Sequence, residues 1–307
     1  MRRTAYRLLA FARERFPLRV YATYAILWVL ALEGSITLVS PDGRWELGPH
    51  LLVEIASVLL TLLFVRVVDE QKDLAYDRVH NPGRPLPRGA VSVAELRLVM
   101  IACVVAVVAL NLPMSAPLAG WLLLDLGYIC FLVWLERHST PVRDGLFLNL
   151  LVSYPAQLLL SGYLWLAFLS RTDTGPTWAA GLVVLMFALV FLHFEFARKT
   201  SWARVDRANL YSNVVGPRGS AGLALGCALG AASIALLSFE PWRVDGVAAF
   251  AAWLPLSAVG FLWMGGERFL SRAAAVWPPA PPMGFLAWFY LGLFVQALAT
   301  QPVGWSG

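Results

Sequence analysis

The chain has 307 residues, 59% apolar and only 14% charged, with a mean hydropathy of +0.67. Soluble domains are nearer half apolar and a quarter charged, so a soluble globular fold is excluded. The net charge of +5 does not indicate a nucleic-acid partner, because the positive residues fall in the connections between apolar runs.

Many of those runs exceed the roughly 18 residues that cross a bilayer core. The length suits one membrane domain, residues 1–307, rather than several soluble ones. Residues 1–17 are basic and amphipathic, with Arg2, Arg3, Arg7, Arg13 and Arg15. They read as a helix lying on the anionic inner membrane face, and nothing in them has the pattern of a cleaved signal peptide. Nine spanning helices are expected near residues 18–39, 50–72, 92–112, 116–135, 145–169, 177–199, 219–238, 245–265 and 283–301, bounded by Pro, Gly and charge. With the N-terminus inside, every Lys and Arg except Arg44, Arg171 and Arg243 lies on the cytoplasmic side. That is the asymmetry the positive-inside rule requires. The expectation is an integral multi-pass protein of the plasma (inner) membrane, its N-terminus and polar loops cytoplasmic. Cys103, Cys130 and Cys227 all sit in apolar runs and read as packing residues, not a disulfide framework.

The second span runs into R-V-V-D-E-Q-K-D-L-A-Y-D-R-V-H-N-P-G-R-P-L-P-R-G, Arg66 to Gly89. Asp69, Asp73 and Asp77 recur every four residues, with Glu70 beside the first. A helix turns about 100° per residue, so this spacing places the three acids on one stripe. Such a cluster repels itself unless a cation sits on it. Oxygen-only donors favour a hard cation, and Mg²⁺ is typically shared between one or two carboxylates and substrate phosphates. Arg84 and Arg88, in the Pro/Gly-rich turn that follows, can engage phosphate oxygens as a fork. The plainer reading is a solvated charge run paired with Arg66, Lys72 and Arg78.

Further along, Glu33, Glu54, Asp125, Asn149, Tyr154, Gln157 and His193 interrupt apolar runs. Charged groups at membrane depth are costly and usually face a cavity. Glu33 and Asp125 are therefore candidates for a chamber lining, Glu54 for an interfacial position. Asn149, Tyr154 and Gln157 are candidates for acceptor binding; His193, two residues before Glu195, reads as a packing residue, with a general base or a group supporting Glu195 as the alternative. The sixth span ends in F-L-H-F-E-F-A-R-K-T, followed by a second polar loop. The two charged helix ends lie about half a chain apart, which suggests two related four-helix bundles facing each other and a ninth, extra helix. Gly222, Gly226 and Gly230 form a G-x-x-x-G-x-x-x-G row that permits close helix packing.

The acid stripe, Arg78 and the R-P-L-P-R-G at Arg84–Gly89 together resemble the first signature of the UbiA superfamily of intramembrane prenyltransferases, which includes UbiA-type terpene cyclases. The resemblance extends to the nine-helix layout and the second polar loop after the sixth span. It implies an all-α polytopic fold around a central cavity open to lipid, with an isoprenyl diphosphate held on Mg²⁺ by both motifs. On that reading Asp69, Glu70, Asp73, Asp77 and Glu195 would be metal ligands. Asp69, Asp73, Asp77, Glu195 and Lys199 would carry catalysis. Lys72, Arg78, Arg84, Arg88, Arg198, Tyr211, Ser212 and Asn149 would contact substrate. The chain departs from the family twice: Asp69 stands where Asn is usual, and Glu195…Lys199 replaces D-x-x-x-D. Lys199 cannot bind a metal but can contact diphosphate directly, and Asp206 is a possible substitute carboxylate.

The function this implies is Mg²⁺-dependent ionisation of an isoprenyl diphosphate, the leaving group's charge stabilised by the metal and by Lys and Arg. The prenyl group would pass to an acceptor, with aromatics one class of candidate. The 13% aromatic content, including 13 Trp, could offer π faces to the cation, although most rings read as interface anchors or packing. Two alternatives stay open: a terpene cyclase that needs no acceptor, and a non-catalytic transporter or lipid-binding protein.

Overall fold

The computed structural model describes residues 2–41, 44–204 and 209–305, with side chains from Thr4 onward. Asp206 lies outside them. Among the described residues the protein is all-α apart from one pair of three-residue strands. Among the described residues, nine helical segments are long and apolar enough to cross a membrane. A transmembrane helix satisfies its own backbone hydrogen bonds, so such segments form wherever an apolar run is long enough. The chain is a polytopic membrane protein.

By internal packing the chain divides into two compact units. The first holds residues 1–29 and 49–163. It contains α1 (Arg2–Arg15), the start of α2 (Leu18–Leu38), α3 (Pro49–Lys72), α4 (Leu74–His80), α5 (Val93–Asn111), α6 (Ala116–His138), α7 (Thr140–Asp144) and most of α8 (Leu146–Leu169). α5 begins with a reciprocal cap: Ser92 Oγ accepts from the Glu95 amide, and the Glu95 carboxylate accepts from the Ser92 amide. A buried polar knot ties α3, α5 and α8: Asn111 donates to Ser57 Oγ at 2.7 Å, and the Tyr163 hydroxyl donates to Asn111 Oδ1 at 2.7 Å. Asp125, in mid-α6, is fully buried, and neither carboxylate oxygen has a hydrogen-bond partner among the described residues.

The second unit holds residues 30–48 and 164–307. It contains α9 (Trp178–Arg198), α10 (Ser212–Phe239), α11 (Ala248–Ser257), α12 (Val259–Leu270) and α13 (Ala280–Thr300). Strand β1 (Trp45–Leu47) pairs in parallel with β2 (Val303–Trp305). α10 starts seven residues before the expected 219, and Gly216 (φ 76°) with Pro217 kinks it. α11 and α12 replace one expected helix, the break following Pro255.

Several expectations are corrected. Glu33 does not line a chamber: it is buried in an ion pair with Arg171, and the Trp45 indole donates to it at 3.5 Å. Glu54, near the start of α3, is fully buried. The Gly222–Gly226–Gly230 row does not make the close contact. A methyl group at Gly222 or Gly226 would meet nothing within 4 Å, and only Gly230 approaches a neighbour, Leu189. The buried row of α10 is alanine: Ala221, Ala224, Ala228, Ala231 and Ala235. Their three- and four-residue spacing keeps them on one face, and that face packs on α9. His193 sits at this contact, its Nδ1 2.8 Å from the Ala224 carbonyl and its ring edge-on to Phe285. That is a packing role.

Candidate functional site

The row of four-residue steps survives the end of α3. The Asp73 amide donates to the Asp69 carbonyl, Asp77 to Asp73, and Asn81 to Asp77, all at 2.8–2.9 Å. α4 therefore continues α3 with only Asp73 between them. The three carboxylates nevertheless meet different surroundings. Asp77 is 1% exposed; it accepts from Arg84 Nη1 at 2.5 Å and from Asn81 Nδ2 at 2.8 Å. Asp69 is 44% exposed, and its nearest cation, Lys72, stands 3.9 Å away. The Asp73 side chain is open to solvent and makes no hydrogen bond or ion pair with another described residue. The protein packed around its base raises its pKa above the ordinary carboxylate range, with Asp77 and Glu136 adding to the effect and Lys72 and Arg84 opposing it. A carboxylate so under-compensated gains from an added cation.

Glu70, expected among the ligands, points elsewhere. Its buried Oε1 receives Arg15 at 2.7 Å and Arg66 at 2.6 Å. Lys72 reaches Glu136 at 3.1 Å, and Asn149 Nδ2 donates to Glu136 Oε1 at 2.8 Å. Glu136 was not singled out from the sequence. It stands 64 residues from Lys72, and no spacing links the two. Around them, the Arg84–Gly89 turn closes through Arg88 N to Arg84 O and Ala90 N to Pro85 O. Gly89, at φ 76°, occupies the left-handed region that favours glycine. Arg88 is held by Glu14 at 2.7 Å, and Arg78 is exposed on α4.

In the second unit, Glu195 ends α9 between two cations: Arg198 Nε and Nη2 reach its Oε2 at 2.6 Å, and Lys199 Nζ its Oε1 at 2.7 Å. Lys199 also lies 5.4 Å above the Tyr211 ring. Tyr211 is buried, and that burial, with Glu195 nearby, raises its hydroxyl pKa. Ser212 Oγ accepts from the Ser201 amide at 3.0 Å, so it caps the loop.

Among the described residues no three His, Cys, Asp or Glu side chains converge on a possible metal position. Of the expected ligands among the described residues, Asp69 has only a 3.9 Å contact with Lys72 and Asp73 has no ion pair, and the two stand one helical turn apart at a helix end. That donor set fits an Mg²⁺ ion, which usually takes one or two carboxylates and keeps waters or phosphate oxygens. Glu195 is already neutralised by Arg198 and Lys199.

No protein-family model matches the sequence, and no curated protein does. Two solved structures match the fold. One concerns a digeranylgeranylglyceryl phosphate synthase in membranes, with a TM-score of 0.57, 13% identity, and 96% of this chain and 97% of that one covered. The other is the apo structure of a UbiA homologue from Aeropyrum pernix K1, with a TM-score of 0.55, 17% identity, and 90% and 96% covered. Over 90% or more of its length, the chain shares the fold of these two structures.

Proposed function

We propose that the protein is an Mg²⁺-dependent intramembrane prenyltransferase that ionises an isoprenyl diphosphate and passes the prenyl group to an acceptor. The observation that carries this reading is the end of α3. Two lightly paired carboxylates, Asp69 and Asp73, are followed within 20 residues by a cationic turn, in a chain of the UbiA fold. The fold neighbours are consistent with that chemistry.

Asp69 and Asp73 would hold the ion. When bound, it supplies positive charge to the oxygens of the leaving group. Arg84 uses one nitrogen on Asp77, which leaves other donors of its fork for phosphate oxygen. Lys72, poised between Asp69 and Glu136, adds a further positive charge. The allylic C–O bond breaks with its electron pair leaving on diphosphate. The acceptor's nucleophilic atom then attacks the cation and loses a proton. The second motif folds as a cation pair around one carboxylate, and we assign Lys199 and Arg198 to phosphate oxygens rather than to a second metal.

The test uses the full chain in lipid nanodiscs with prenyl diphosphates of increasing length. Pyrophosphate release is expected with Mg²⁺, to vanish with EDTA, and to fall at least about a hundredfold in Asp73→Ala. A cyclised hydrocarbon or alcohol formed without acceptor would replace the transferase by the cyclase. No release at any chain length would favour the transporter class, although transporter sites typically lie near the bilayer midplane on broken helices rather than at a helix end.

A further inference from the structure

The contacts of α1 converge on the first motif from one face of the helix. Arg7, Phe11, Glu14 and Arg15 lie within about 100° of arc at 100° per residue. Toward α3, Arg15 Nε and Nη2 both reach Glu70 Oε1 at 2.7 Å, on the residue adjacent to Asp69. Toward the turn, Arg7 Nε donates to the Ala90 carbonyl at 2.7 Å and Nη2 to the Gly89 carbonyl at 3.1 Å, with Nη1 3.2 Å from Glu95. Glu14 takes Arg88 by two contacts, 2.7 and 3.2 Å. Between these grips Phe11 is buried with Val67 of α3, Leu86 of the turn, and Val91 and Leu96 beyond it. One helix therefore holds both the acid-bearing helix end and the cationic turn, through an apolar centre flanked by charged contacts.

We propose that α1 is a positioning clamp for the metal–diphosphate site, an inference that rests on the diphosphate reading above. Arg7 and Arg15 are its positioning residues. Among the described residues their hydrogen bonds and ion pairs go to Glu70, Glu95 and two main-chain carbonyls, and neither belongs to the group that would meet substrate. Pro85 and Pro87 bring no amide donor of their own, and Arg7 donates to the carbonyls of Gly89, which ends the turn, and of Ala90, which follows it. Arg15 shares Glu70 with Arg66 and so fixes the orientation of the last turn of α3, which carries Asp69 and leads directly into Asp73. Without the clamp the acids and the turn keep their local folds but lose their common frame. The expected defect lies in the binding of diphosphate and metal, with the chemical step little changed.

The experiment compares the wild type with Arg7→Lys, Arg15→Gln, Arg15→Lys and Arg13→Gln, all full-length in nanodiscs. It measures kcat and KM for a prenyl diphosphate, the Mg²⁺ concentration for half-maximal rate, and the rise in Tm on adding Mg²⁺ with inorganic pyrophosphate. Arg15→Gln is expected to raise KM and the Mg²⁺ requirement about tenfold with kcat within about twofold, the pattern of lost binding rather than lost transition-state contact. Arg15→Lys should recover most of that loss, and Arg13→Gln, on the exposed face, should match the wild type. If Arg15→Gln does not fold, Arg7→Lys carries the same reading, since it keeps the charge beside Glu95 and loses the fork on the two carbonyls. Wild-type KM, Mg²⁺ requirement and pyrophosphate-induced Tm shift in folded Arg15→Gln or Arg7→Lys would overturn the clamp while leaving the diphosphate reading standing. A wild type that neither releases pyrophosphate nor gains Tm from Mg²⁺ with pyrophosphate would overturn both.

Discussion

Whether a carboxylate can serve a metal depends on what already neutralises it. Asp77 is buried against Arg84, and breaking such a pair by removing one partner costs about 3–5 kcal/mol, because the other charge stays buried alone. Arg84→Ala is therefore expected to lower Tm as well as activity. Asp73→Ala, at an exposed carboxylate without an ion pair, is expected to abolish activity with Tm unchanged, and thermal scanning of the two variants separates the cases. Lys199 gives a second residue-scale prediction. A hydrogen bond to a charged group is worth about 1.5–3 kcal/mol, so Lys199→Ala should raise KM for the diphosphate by roughly tenfold or more. Glu195→Gln, which removes a carboxylate but leaves both cations, should not raise the Mg²⁺ requirement. A raised requirement in Glu195→Gln would restore Glu195 as a ligand.

At the scale of elements, the contact between α9 and α10 shows how a small-residue motif can mislead. Glycines four apart suggest a close crossing, yet the buried row is the alanine row beside it, with Ala224, Ala228 and Ala231 fully buried. Ala228→Leu is expected to overpack that face and destabilise the protein by about 1–3 kcal/mol. Gly226→Ala meets open space and should be neutral or stabilising by up to about 1 kcal/mol, since alanine is the better helix former. Thermal unfolding in detergent, read side by side, checks both. The same lesson applies to the acid stripe. Its four-residue rhythm is real in the backbone, but Asp69, Asp73 and Asp77 differ in exposure and partners because the helix end passes beside Arg84, Lys72 and Glu136.

For the molecule as a whole, the distribution of Lys and Arg makes a topological prediction. In a variant without Cys103, Cys130 and Cys227, single cysteines at Asp173 and Asp245 are expected to react with an impermeant thiol reagent added outside, and one at Ser271 only after the membrane is opened. Labelling of all three from one side would contradict the positive-inside assignment. The nine spans were legible in the sequence to within a few residues for most helices, because a spanning helix closes its own hydrogen bonds and needs only a long apolar run. Its failures, the early start of α10 and the break between α11 and α12, fall beside Pro217 and Pro255, where a sequence shows that a helix bends but not whether it continues. The acid stripe and the cationic turn were legible for the same local reason: side chains four apart share a helix face wherever the helix lies. What the tertiary structure decided is which of those acids are free. Glu70 is taken by Arg15, 55 residues away, Lys72 is shared with Glu136, 64 residues away, and Glu33 is paired with Arg171, 138 residues away. Charge neutralisation acts through space over a few ångströms, and no spacing along the chain records which distant residue will arrive there.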